Sequence, residues 1–550
     1  MNNFQKFSAI KRHALLEEIG NDFFEVVIFG GGITGAGIAL DAASRGLKVA
    51  LIEQNDFASG TSSRSTKLVH GGLRYLEKLQ FRFVAQLGKE RKVLHHNATH
   101  NVIPIPVFLP IFKGGQLKKG LSFLGLLAYD YLAGVKKEYR TRWITKEQLI
   151  KKYPLINQQG LKGAFLYYEY KTNDGRLVIE TLKKASDMGA RVINYCEPLE
   201  LKKRQERIVE ARVVDLISNE EFLIKGSFFI NATGPWSGGF MKQFDTPMPK
   251  SLYPTKGIHL VFSKERFPIR EAFYFDTHDQ RMIFAIPRQN HVYVGTTDTP
   301  YSGDLRKPRV DTTDIDYLIF AVNQEFSGLH LTKTDVLSCW AGIRPLIQDP
   351  GKNPDEISRK EELFVSPAGL ITITGGKLTG FRLMAKQVVD RIMKQTPKSF
   401  VKCKTETIRA SGSEWLIPPD INKLVELADH QFDLAKQTGI TAEAFKKFFY
   451  RYGTNIEILT EKAFEWKGQE GSTDMLWTKV EVWYSVTHEM TATLSGFFIY
   501  RTEMVLFEPE KVHFQLDRVA QLMAELLSWT PEEKENQIAG FKNHWEEYQS

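Results

Sequence analysis

The apolar positions change period several times along the chain. Residues 24–30, FEVVIFG, are apolar apart from Glu25. GGITGAGIALDAASRG follows with its apolar residues at helical spacing, and LKVALIE ends the unit at residue 53. Strand, glycine turn, helix and strand in that order predict a βαβ unit. Residues 1–20 predict a charged lead-in helix, 55–65 a polar Ser/Thr-rich loop, and 67–96 an amphipathic helix. IPIPVFLPIF, residues 103–112, is extended and broken by prolines, and basic clusters then alternate with an apolar stretch to residue 140. A helix is expected near 176–188, and strands near 190–195, 209–217 and 227–231. Residues 253–300 are strand-rich, 314–326 helical, and 363–395 repeat the strand, glycine turn and helix. From about residue 400, Glu, Lys, Leu and Phe recur at helical spacing to 546, which predicts a separate α-helical C-terminal domain. The pattern as a whole predicts an α/β protein with a helical appendage.

The chain has 550 residues, enough for roughly three or four domains. Its charged fraction of 25% and hydrophobic fraction of 42% are those of a globular protein and exclude a disordered or collagen-like chain. The net charge of +8 is small for this length. It suits anionic small substrates or an anionic membrane surface, and no nucleic acid is expected. The three cysteines, Cys196, Cys339 and Cys403, are far apart, which speaks against a disulfide framework or a thiolate zinc site. The N-terminus has no apolar core of signal-peptide length, and no stretch has the ~18 apolar residues of a spanning helix.

Gly30-Gly31-Gly32-Ile33-Thr34-Gly35 matches G-x-G-x-x-G between a strand and a helix. Gly30 allows the tight turn, Gly32 lets a pyrophosphate approach the backbone, and Gly35 lets helix pack close to sheet. Glu53, at the end of the next strand, stands where an acid takes ribose hydroxyls. Two later segments favour FAD over a nicotinamide. FFINATGPWS ends a strand at Thr233-Gly234, where small residues permit approach to a dinucleotide. TITGGKLTGFR places Gly376, Lys377, Leu378 and Thr379 at a second strand–helix turn, whose amides and lysine charge would suit flavin N1 and O2 on reduction.

At these residues the sequence resembles the FAD-dependent glycerol-3-phosphate dehydrogenases. GGGITGAGIALDAASRGLKVALIE, SSRSTKLVHGGLRYLE, NATGPW, VGTTDTPYSGD, AGIRPLI, GGKLTGFR and HEMTATLSGFFIYRTEM carry the resemblance. It runs from about residue 20 to 540. It implies a discontinuous Rossmann-like FAD-binding domain (20–105, 160–250 and 340–398). This is interleaved with a strand-rich substrate domain (106–159 and 251–339) and followed by a C-terminal helical domain (399–550). The implied reaction is oxidation of sn-glycerol 3-phosphate to dihydroxyacetone phosphate by hydride transfer to flavin N5, with electrons passed to a quinone-type acceptor. Members that use O2 carry an extra insertion in the substrate region; no surplus segment stands out here, so the dehydrogenase is favoured. The resemblance also implies that Thr61, Ser62 and Ser63 line the FAD. A cytoplasmic protein at the inner face of the membrane is expected, and a homodimer is left open.

A phosphate dianion calls for arginine, whose fork donates two parallel hydrogen bonds. Arg344, beside Gly342 and Pro345, is the first candidate; Arg74, Tyr75, Lys256 and Arg359 join it by resemblance. The hydroxyl proton calls for a base, and His70 and His259 are the candidates. His70 is ahead because it lies four before Arg74, where a helical turn would bring the two together, whereas a lone His on an apolar strand is more often a core residue. Lys377 completes the catalytic set. His95, His96 and His100 could mimic a metal cluster, with 96 and 100 on one helical face, but they lack the partners of a metal site, and none is expected. Residues 111–140 carry lysines around an apolar stretch, a pattern that suits either a bilayer surface or a buried hairpin. The alternatives are a glycerol-3-phosphate oxidase using O2, a flavin oxidase of another small substrate, and a non-catalytic protein that keeps the FAD fold.

Overall fold

The computed structural model describes residues 7–71, 81–114, 125–127, 129–131, 134–244, 248–279, 281–348, 361–414 and 421–549. Its first sheet runs in the order Glu362–Val365, Ile371–Thr374, Glu221–Asn231, Phe23–Phe29, Val49–Ile52, Arg191–Ile193. All but the antiparallel first strand of that series are parallel. The strand cores are buried on both faces, which is why FEVVIFG reads as a run without alternation. Helix Ile33–Ser44 packs between Asp174–Asp187 and Phe381–Met393. Its small residues allow this: a Cβ on Gly37 would come within 2.7 Å of the Phe381 ring. Cys196–Arg204 and Arg207–Asp215 add an antiparallel meander to Glu221–Asn231.

The second sheet is mixed and has ten strands among the described residues. Its backbone is the pair Ser251–Ser263 and Val336–Gln348, in register from Ser251 opposite Gln348 to Val261 opposite Ser338, with a one-residue shift before Phe262 meets Val336. Side chains alternate across a strand. One face therefore carries Gly257, His259, Trp340, Gly342 and Arg344. The other carries Ile258, Leu260, Phe262 and Ala341 into a core capped by helix Thr312–Glu325.

Two sequence expectations need correction. The helix expected over 67–96 spans Phe81–Asn97, whereas Leu68–Val69 is a strand on Tyr170 and Lys171. Lys67 has φ +54, so tertiary contacts override the helical period there. Strand Leu161–Lys171 was not anticipated; it pairs along Ile103–Phe112 over ten positions.

The C-terminal region has two packing partners. Helices Ile421–Ala435, Ala442–Tyr452, Ile456–Glu465 and Thr473–His488 surround their own core. Later residues, among them Phe497, Val505, Val519 and Tyr548, belong to the same core as the first sheet. A buried ion cluster lies between the two parts of the chain. Arg176 donates to both carboxylate oxygens of Glu489, at 2.7 and 2.6 Å, and to Glu180. Burial works against an ionised Glu489, yet Arg176 and Lys183 hold its carboxyl below the ordinary range. Removing one member leaves buried charge unpaired. Arg176→Ala is expected to destabilise the protein by about 3–5 kcal/mol, seen as a lowered urea midpoint. A midpoint within error of the parent would show that the cluster is not needed.

Candidate active site

The first glycine turn is crowded where the sequence has no side chains. Gly30 has φ +112, and a Cβ there would lie 2.6 Å from the Ala232 carbonyl oxygen. A Cβ on Gly35 would lie 1.9 Å from the carbonyl oxygen of Gly30, and one on Gly32 would lie 3.0 Å from Ser62 Oγ. The Gly31 N–H donates to Glu53 Oε2 at 2.6 Å and the Asn55 N–H to Oε1 at 2.8 Å. Surrounding protein pushes the Glu53 carboxyl up, against these two amides. Ile33 N–H donates to Ser62 Oγ at 3.0 Å. The next amides of the first helical turn have no intrahelical acceptor, which is what an anionic pyrophosphate requires.

The other motifs converge on this turn. Ala232 N–H donates to the Phe29 carbonyl at 2.8 Å, so the strand ending at Thr233-Gly234 runs beside Gly30. Thr233 Oγ1 donates to Asn231 at 2.7 Å, and Gly234 has φ +57 with open space where a Cβ would stand. Thr374 Oγ1 donates to the Gly234 carbonyl at 3.2 Å, which brings in the second glycine turn. There Gly376 has φ +75, Lys377 is extended, and Leu378–Gly380 make a single turn before helix Phe381–Met393. Thr379 Oγ1 donates to the His70 carbonyl at 3.0 Å. The two most specific sequence motifs thus meet, although 309 residues apart. His70 is half-buried. Gly71 N–H donates to Tyr129 at 3.1 Å, within a buried cluster of Tyr129, Arg91 and Glu169.

Residues 61–66 lie across one face of the second sheet. Thr61 Oγ1 donates to the Ile343 carbonyl at 2.6 Å, Trp340 Nε1 to the Ser65 carbonyl at 3.2 Å, and Tyr293 OH to the Thr66 carbonyl at 3.1 Å. Ser63 is buried beside them, its carbonyl accepting from Lys67. His259 Nε2 is 3.1 Å from Thr66 Oγ1, and its ring stacks on Trp340 at 4.5 Å. Burial and the nearby cations Arg344 and Lys67 hold this imidazole well below its usual value, so it is neutral. Arg344 keeps 29% of its side chain exposed. Its guanidinium donates to the Thr297 carbonyl at 3.0 Å, Asp298 at 3.1 Å and Thr296 Oγ1 at 3.0 Å. Gly257 makes the room, since a Cβ there would stand 2.4 Å from the guanidinium.

Lys256 is not brought to this face. It stands opposite Ile343, on the far side of the strand, 2.8 Å from Asp311 and 2.5 Å from Asp314 at the start of helix Thr312–Glu325. It anchors that helix and does not join Arg344 on the face that carries residues 61–66. Arg74, Tyr75 and Arg359 lie outside the described residues, as does much of 111–140. Among the described residues no cluster of His, Cys, Asp and Glu suits a metal ion. His95 bonds to the Val102 carbonyl and His100 to Ser413. No helix among them is long and apolar enough to cross a membrane.

Fold and site together define a dinucleotide-binding oxidoreductase, and comparison with known proteins agrees. Residues 25–388 match the family described as FAD dependent oxidoreductase, and 403–534 the C-terminal domain of alpha-glycerophosphate oxidase. The chain is 42% identical to the aerobic glycerol-3-phosphate dehydrogenase of Bacillus subtilis, over 97% of this chain and 96% of that one. It is 42% identical to the protein of that name from Staphylococcus haemolyticus, over 95% of this chain and 94% of the other. The X-ray structure of the glycerol-3-phosphate dehydrogenase from Bacillus halodurans complexed with FAD has a TM-score of 0.84 and 35% identity, covering 98% of each chain. The chain belongs to the aerobic glycerol-3-phosphate dehydrogenase family of FAD-dependent oxidoreductases. Its cofactor is FAD, which the crowded glycine turn and its free amides fit.

The crowding at Gly35 gives a direct check. Gly35→Ala forces helix from strand, a cost of about 1–3 kcal/mol or more. The purified variant is expected to lose its visible flavin absorbance, and full flavin occupancy would contradict this account of the turn.

Proposed function

We propose that the protein oxidises sn-glycerol 3-phosphate to dihydroxyacetone phosphate and delivers the electrons to a quinone-type acceptor. The observation that carries this reading is Arg344, a braced and half-exposed guanidinium on the sheet face that also supports the cofactor loop. A cation already held by neighbouring groups arrives pre-ordered, so little rotamer entropy is lost when it takes a phosphate. The near full-length identity to dehydrogenases of that name supports the same substrate.

The chain's own residues have distinct tasks in this reading. Gly30, Gly32, Gly35, Glu53, Ser62, Thr233, Gly234 and the turn at Gly376–Thr379 hold the cofactor. FAD supplies the acceptor for the hydride that leaves the carbinol carbon. Arg344 holds the phosphate. His70, half-buried between Thr379 and Gly71, takes the hydroxyl proton as the C=O bond forms. His259 keeps Thr66 in position as a neutral ring. Lys377 supplies positive charge at the turn, which suits a cofactor that gains electrons. The acceptor calls for contact with a membrane. Exposed Leu127 and Tyr131, close in sequence to Lys136 and Lys137, support a peripheral position on its cytoplasmic side.

Anaerobic addition of sn-glycerol 3-phosphate is expected to bleach the flavin spectrum, with recovery fast on a quinone analogue and slow in air. Fast recovery in air would mark an oxidase, and no bleaching would remove the substrate assignment. Arg344→Ala is expected to raise KM roughly 10- to 100-fold, the worth of a charge-assisted pair, with flavin content unchanged. An unaltered KM would take Arg344 out of the phosphate site. The acid limb of the kcat/KM profile is expected to vanish in His70→Gln and to survive in His259→Asn. The reverse pattern would exchange their roles.

A further inference from the structure

One stretch of the C-terminal region reaches both ends of the cofactor loop. Residues 496–501, GFFIYR, form a π-helix, a rare form frequently found at functional sites. At its end Arg501, fully buried, donates to Asp56 Oδ1 at 2.9 Å and to the Glu489 carbonyl at 2.8 Å. Asp56 lies three residues after Glu53 and also accepts from Asn194 at 2.9 Å. Two residues past Arg501, Glu503 lies 2.7 Å from Lys67 and pairs with Arg288. Lys67 closes the loop at its other end and donates to Asp174 at 2.7 Å and to the Ser63 carbonyl at 2.8 Å.

The two contacts have opposite polarity. Arg501 meets an acid on the loop, and Glu503 meets a lysine. The pair therefore fits in one register only, since a shift would face like charges. Glu503 and Lys67 both have positive φ, at +55 and +54. Such conformations cost a non-glycine residue energy and persist where the surroundings over-determine them. Apolar packing already joins the two regions, through Phe497, Phe498 and Val505. Adhesion alone needs no buried charge, whereas fixing the loop between Asp56 and Lys67 does.

We propose that Arg501 and Glu503 are positioning residues for FAD: the C-terminal region sets the cofactor loop through Asp56 and Lys67 and thereby governs how firmly FAD is held. This requires FAD but not the substrate assigned above, so the two can fail separately. In hydrogen–deuterium exchange on the full chain, with FAD and stripped of it, peptides covering 56–67 and 496–503 are expected to gain protection together when FAD is present. Protection confined to 56–67 overturns the proposal without any variant having to fold. Glu503→Gln and Asp56→Asn holoenzymes are expected to release flavin at least ten-fold faster on dilution, with a shifted visible flavin band. Arg501→Lys is expected to release it more slowly than Arg501→Met. Variants that lose thermal stability but keep the parent release rate and flavin band would show a merely structural role and also overturn it.

Discussion

The hydrogen bonds between residues 61–66 and one face of the second sheet are the constraint on which the site depends. They join two sheets that share no strand. Ser65, Thr66 and Thr61 meet the Trp340 ring and the Ile343 carbonyl of strand 336–348 and Tyr293 of the neighbouring strand 291–295. A slip of one residue in the pairing of 251–263 with 336–348 would turn Trp340 and Arg344 into the opposite core. The cation proposed for phosphate and the loop that supports the cofactor are therefore set by a single register.

The glycine turn and its βαβ unit were legible because every signal in them is local. The apolar run, the fixed glycines and Glu53 fall within about thirty residues, and each has its own steric task. Lys256 shows what reading by motif alone leaves out. It lies three positions before His259 on a strand, an odd spacing that puts the two on opposite faces. Parity alone would have separated it from Arg344, given the pairing of Thr255 with Arg344. The start of the helix after residue 67 was hidden for another reason. Lys67 is held by Asp174 and Glu503, partners over a hundred and over four hundred residues away. No local period encodes that.

Buried ions recur at the junction of the C-terminal region with the rest. Arg176 with Glu489, Arg501 with Asp56, Lys67 with Glu503 and Arg64 with Glu547 are all buried. Such pairs add little net stability compared with apolar packing, yet they are strongly selective about partner and alignment. Glu489, Arg501 and Glu503 stand in plain sight in HEMTATLSGFFIYRTEM, and Asp56 and Arg64 in the Ser/Thr-rich loop. Their pairing became visible only in three dimensions, because the interacting ends are up to 483 positions apart.

The strand order of the first sheet bears on how the chain is made. Phe23–Phe29 sits between Val49–Ile52, which follows it within a few dozen residues, and Glu221–Asn231, which comes roughly two hundred residues later. As the chain leaves the ribosome, one edge of that apolar strand pair has no neighbour until its distant partner is synthesised. The sheet then gains its next parallel strand only with Ile371–Thr374. An unpaired apolar edge is a template for wrong pairings, and sheets closed by distant strands form slowly. Biogenesis of this protein is therefore exposed to aggregation throughout the synthesis of its middle third, a burden borne by cellular chaperones rather than by the finished fold.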